Sequence, residues 1–177
     1  MSTVDLACRG VLVLVFVASA AGKLGNFGGF VAAVRQLRLV PGRRPPVRPV
    51  ARVVVAAEGA AAALLLLPGA FATAGFVLVI LLCAVFAVAI ESSVRRDIRV
   101  PCPCFGASAD LLDRRHLVRN AILAAVSVAG LADTGTGRPP GLVDVLVGSV
   151  AAVFVAAVVI RFDDVAEILV PRPAARR

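Results

Sequence analysis

The sequence predicts an all-α fold, a multi-pass transmembrane bundle of about five spans. Three observations carry that prediction. The 177 residues are 60% hydrophobic, with no Trp or Tyr, and Ala, Val and Leu supply most of the apolar mass. Mean hydropathy is +0.95, well above that of a soluble domain. The apolar residues fall in long blocks with arginines clustered between them, the pattern of a chain folded through a bilayer. Five spans use nearly the whole length, so residues 1–177 read as a single integral membrane domain.

The spans are taken in order. The first covers about residues 6–24. Arg9, the run "VLVLVFV" and the triplet "ASA" also resemble a signal peptide, but Asp5 beside a lone Arg9 is a poor positive leader, so a retained span is expected. In "NFGGFVAAVRQLRLVP", Phe27, Phe30, Val31, Val34 and Leu37 recur at helical spacing. Asn26 is placed to cap this segment and Pro41 to stop it. About 27–39 is too short to cross a bilayer, and a short helix lying in the interface is expected. After the basic, proline-rich "PGRRPPVRP", the second span covers about 50–67. A tight "LPGA" turn makes the third span, 70–90, antiparallel to it. Its length, at about 1.5 Å per residue, matches one hydrocarbon core. A polar connection, 91–116, precedes a short fourth span at 117–131. The turn "ADTGTGRPPG" leads to a fifth at 142–160, and a charged tail follows.

Net charge is +8, from 19 Lys+Arg against 11 Asp+Glu. In a soluble chain that excess would point to nucleic acid. Here it points to membrane orientation and anionic lipid head groups, and no nucleic-acid partner is expected. Residues 35–52, 91–119 and 161–177 hold six, six and four arginines, whereas the opposite connections hold only Arg9 and Arg138. By the positive-inside rule the chain sits in the cell membrane with its N-terminus outside and its C-terminus cytoplasmic.

The strongest local signal is "VPCPCFGAS". Cys102 and Cys104 are one residue apart, at a polar boundary, between Pro101 and Pro103. A disulfide closing so small a ring is strained, and strained disulfides are the oxidising, labile ones. Arg99 and Arg119 favour thiolate. Metal binding and inert loop cysteines are the competing readings. Two cysteines and the distant His116 make an incomplete metal site, so none is expected. Cys8 belongs to the opposite face, too far to bridge to either sulfur, and Cys83 reads as a small packing residue.

Glu58, inside the second span, is costly in lipid unless neutral or paired. Lys23, near the same face at the end of the first span, is its natural counterion. A structural lock and a proton carrier or ligand anchor are both open. Gly59 and Ala60 to Ala63 would let another helix approach closely there. His116, the only histidine, is either a proton shuttle or an interfacial polar group. Asn120 is expected to hydrogen-bond a neighbouring helix.

Lys23, Glu58, "CPCFG" after the third span and "RN" (Arg119 and Asn120) opening the fourth together resemble the MauE-type methylamine-utilisation membrane proteins, related to the broader DoxX-like group. The likeness runs over about residues 10–160. Its specific part is Cys102-x-Cys104-Phe105-Gly106. The resemblance implies a four-helix DoxX-like core plus one helix, and a role in redox maturation of an exported methylamine dehydrogenase subunit. Cys102 and Cys104 would be the redox pair, with Lys23, Glu58, Phe105, Gly106, His116, Arg119 and Asn120 in support. Pro103 stands where a small residue such as Gly is expected. The arginine count also puts the motif on the cytoplasmic face, whereas an exported client needs the other.

The function expected is therefore thiol–disulfide exchange with a client or thioredoxin-like protein, electrons passing on to a second carrier such as a quinone. The alternative is a non-catalytic assembly or ligand-binding membrane subunit, in which the Lys–Glu pair is structural.

Overall fold

The computed structural model describes residues 3–37, 46–96, 114–133 and 141–161. These form six helices: α1 (Thr3–Gly25), α2 (Phe27–Leu37), α3 (Val47–Leu66), α4 (Ala70–Arg95), α5 (Arg114–Asp133) and α6 (Leu142–Ile160). All but α2 are long and apolar enough to cross a membrane. Helices are the form such segments must take, because lipid offers no partner for a bare backbone amide or carbonyl.

Local chemistry sets the helix ends. Asn26 accepts the Gly29 amide on Oδ1 at 3.0 Å and so starts α2 as its spacing predicts. Pro46 precedes α3 and Pro49 sits in its first turn, where no amide donor is needed. The α3–α4 turn is closed by Gly69 at φ +65°, a left-handed conformation that favours glycine. Asp144 accepts the Gly141 amide at 2.9 Å and caps α6.

Two boundaries differ from the sequence reading. α4 runs on to Arg95, so the polar connection expected from residue 91 begins about a turn and a half later. The extra turn is held by an i,i+4 pair, Arg95 Nε to Glu91 Oε1 at 2.6 Å, and by Ser92 Oγ donating to the Ala89 carbonyl. α5 likewise begins at Arg114 and carries His116 within the helix.

α1, α3, α4 and α5 form a closed four-helix ring. α3 packs on α1 and α4, α4 on α5, and α5 returns to α1. α6 lies outside the ring, chiefly against α1. The core between them is Leu12, Val15 and Phe16 of α1 with Ala61, Ala62 and Leu65 of α3, Phe76, Val79 and Leu82 of α4, and Leu123 of α5. α2 rests mainly on α3, burying Phe30 and Val31 against Ala20, Ala51 and Val55.

α6 reaches α1 through small residues. Gly148, Ala152 and Ala156 make its buried stripe, and a Cβ added at Gly10 would lie 2.7 Å from the Ala152 Cβ. Close backbone approach of this kind replaces the hydrophobic drive that lipid does not supply. Gly10→Val should push α6 away from α1 at a cost of about 1–3 kcal/mol. A disulfide cross-link engineered between the two helices reports it: the cross-link should form in the parent and fail in the variant.

Candidate functional site

The site is built on an i,i+4 step of α1. Ser19 and Lys23 lie on the helix face that also carries Phe16, and all three turn into the ring. Glu58 of α3 faces them. Lys23 Nζ donates to Glu58 Oε1 at 2.6 Å and to Ser19 Oγ at 2.6 Å. Ser19 Oγ in turn donates to the same carboxylate oxygen at 3.1 Å. Lys23 is 1% exposed and Glu58 0%. The expected pairing is therefore present and more deeply buried than its position near the span ends suggests.

Two rings complete the cation's surroundings. The Phe86 centroid of α4 lies 5.3 Å from Lys23 Nζ and the Phe30 centroid of α2 lies 5.6 Å away, both within cation–π range. α2 thereby covers the pair from the side of the bundle where α1 ends. Among the described residues, Glu58 Oε2 accepts no hydrogen bond, although it is buried.

The polar character extends across the ring. His116, Arg119 and Asn120 are buried on one face of α5, and Ser127 continues that face two turns on from Arg119. Cys83 of α4 lies within electrostatic reach of both Arg119 and Glu58. As expected, Cys83 is a buried core residue; its place between those two charges was not foreseen. The close approach around Glu58 comes through Ala61 and Ala62, which are buried, whereas Gly59 faces outward with nothing within 4 Å of an added Cβ.

Cys102, Cys104, Phe105 and Gly106 lie outside the described residues. Among the described residues no cluster of three His, Cys, Asp or Glu is arranged to hold a metal.

A second polar cluster closes the other end of the bundle. Arg9 Nε donates to Asp5 Oδ1 at 2.8 Å and Arg9 Nη1 to the Leu67 carbonyl at 3.1 Å. The guanidinium also sits 5.9 Å from the Phe76 centroid. The Asp5 amide donates to Asp133 Oδ2, and Thr3 Oγ1 donates to Asp144 Oδ1. The cluster thus joins α1 to the end of α3, the end of α5 and the start of α6. Sequence reasoning weighed Asp5 and Arg9 as a signal-peptide leader, and Arg9 also in the charge distribution, but did not pair them. Their i,i+4 spacing was the signal that could have found the pair.

The fold and the two clusters define a multi-pass helical membrane protein with a buried Lys–Glu pair inside a four-helix ring. The chain belongs to the MauE family: the family model, methylamine utilisation protein MauE, matches residues 1–133. The match ends where the ring is complete, and α6 lies beyond it. Comparison with curated proteins and with solved structures gave no match.

Proposed function

We propose that this protein is a membrane thiol–disulfide redox protein in which Cys102 and Cys104 exchange a disulfide with a partner. The observation that carries the reading is the buried Lys23–Glu58 pair. The Phe86 ring over Lys23 belongs to the half of α4 that leads into the connection bearing the two cysteines. An acid–base couple is thus held at the end of the bundle from which that connection leaves. The "CPCFG" motif and membership of a family named for methylamine utilisation support the same reading.

The chemistry balances as follows. A thiolate at Cys102 or Cys104 attacks one sulfur of a partner disulfide. The partner's other sulfur leaves as a thiolate and takes up a proton. The remaining cysteine then displaces the partner from the mixed species. Two electrons reach the partner, and Cys102–Cys104 becomes the disulfide. Run in reverse, the same steps oxidise a client's dithiol, as maturation of a methylamine-utilisation protein would require. A quinone or a thioredoxin-like protein is the class of carrier that would restore the pair. Arg119 and His116 would support the thiolate and its proton.

The arginine distribution supports an N-terminus outside the cell membrane and a C-terminus in the cytoplasm. An impermeant thiol reagent applied to intact cells tests that placement. Cys102 and Cys104 should be protected until the membrane is opened.

Titration of the purified protein against glutathione tests the chemistry. The pair should oxidise at potentials above about −300 mV, and Cys102→Ser and Cys104→Ser should each abolish that transition. A pair that stays reduced throughout removes the redox reading. The second reading, a non-catalytic assembly subunit, is favoured by the three hydrogen bonds that converge among Ser19, Lys23 and Glu58. Full function in cells with both cysteines changed to serine would establish it.

A further inference from the structure

We infer that Glu58 is a proton-exchanging carboxyl, with Oε2 the atom that gains and loses the proton while Lys23 and Ser19 hold Oε1. The two oxygens are in different states. Oε1 accepts both Lys23 Nζ and Ser19 Oγ. Oε2, on a residue with no exposed surface, accepts no hydrogen bond among the described residues. A carboxylate kept only as a lock in a low-dielectric interior is best stabilised with both oxygens satisfied. Leaving one bare favours a group whose second oxygen is intermittently an O–H.

The groups around Glu58 permit this. From α1 the only facing cation is Lys23, which Ser19 and the Phe30 and Phe86 rings hold in place. From α4 the nearby group is the Cys83 thiol, within electrostatic reach of Glu58; Arg119 of α5 lies within reach of that thiol, with His116 one turn away on the same face. α2 contributes the Phe30 ring, and its Arg35 is exposed. The step adds one proton from solvent to the carboxylate, giving a neutral acid beside the Lys23 ammonium. No electron moves.

This deepens the redox reading and rests on it only for the proton's purpose, since a thiol must lose a proton before it can attack. The exchange itself is a property of the carboxyl and is tested separately.

The experiment uses the full chain in lipid nanodiscs with dicyclohexylcarbodiimide, an apolar reagent. A protonated carboxyl adds its O–H across the carbodiimide C=N, and the adduct rearranges to a stable N-acylurea read by peptide mass spectrometry. Glu91, partly exposed at the end of α4, reports that the reagent is active. Glu58 should be labelled, by about tenfold more for each unit that the pH is lowered while the carboxyl is mostly ionised. Glu58→Gln should remove the label. Lys23→Gln, which keeps a hydrogen-bond donor, should increase it severalfold, because a buried carboxylate without a counter-charge is neutralised. No labelling of Glu58 at any pH at which the protein stays folded overturns the inference. So does labelling that occurs only in Lys23→Gln, because the intact pair then acts as a lock. The Cys102→Ser/Cys104→Ser double variant should label at Glu58 as the parent does, so failure of the redox reading is distinguished by thiol titration alone.

Discussion

Lys23→Met should destabilise the detergent-solubilised protein by about 3–5 kcal/mol, read as a large fall in its thermal midpoint. Lys23 Nζ is the only cation bonded to Glu58 among the described ion pairs, at 2.6 Å, and both side chains are sealed from solvent. Methionine fills similar space but leaves the carboxylate without compensation. It must then stay charged in the bundle core or take up a proton and lose its strongest hydrogen bond. Ser19 cannot make up the loss, because its single hydroxyl already donates to Oε1. The double variant Lys23→Met/Glu58→Leu should recover most of the stability, since an apolar pair of similar volume carries no desolvation penalty. The coupling from the full mutant cycle is the diagnostic quantity. A single-variant loss below about 1 kcal/mol would place the pair among weak, solvent-screened interactions and contradict its burial.

That pair was legible in the sequence for a physical reason. A carboxylate inside an apolar run demands a counterion, and alternating spans put only certain cations on the same membrane face. Lys23 met both conditions. The spans were legible because lipid forces each long apolar block into a helix that satisfies its own backbone. The short helix α2 followed from the spacing of Phe27, Phe30 and Val31, and its cap from Asn26. Other features depended on information that hydropathy does not hold. Glu91 and Arg95 read as loop because they are charged, yet on a helix that same spacing makes an ion pair which extends α4. Cys83 gave no sign of its nearness to Arg119 and Glu58, because that depends on how α4 rotates between α3 and α5. The bare Oε2 of Glu58 is likewise set by side-chain rotamers, which no spacing rule reaches.

The cluster at the other end of the bundle was the least legible, because its partners are scattered along the chain: Leu67 at the end of α3, Asp133 at the end of α5 and Asp144 in α6. It also gives the second large effect. Arg9→Met should cost about 3–5 kcal/mol, because it strips Asp5, 1% exposed, of the guanidinium that neutralises it. It also removes the donor to the Leu67 carbonyl, one of the acceptors that a helix end leaves unsatisfied, and the cation–π contact with Phe76. Asp5→Leu/Arg9→Met should restore part of the loss, but not the part from the Leu67 carbonyl. The contrast between the two ends separates stability from chemistry. Variants at Asp5 and Arg9 should lower the thermal midpoint while leaving the Cys102–Cys104 redox transition of the surviving folded protein unchanged. Glu58→Gln should lower the thermal midpoint as well, because it leaves the buried Lys23 ammonium without its counter-charge, but unlike those variants it should also alter how thiol oxidation depends on pH. If both ends changed that transition equally, the Lys23–Glu58 pair would be a second latch like the first, with no chemical role of its own.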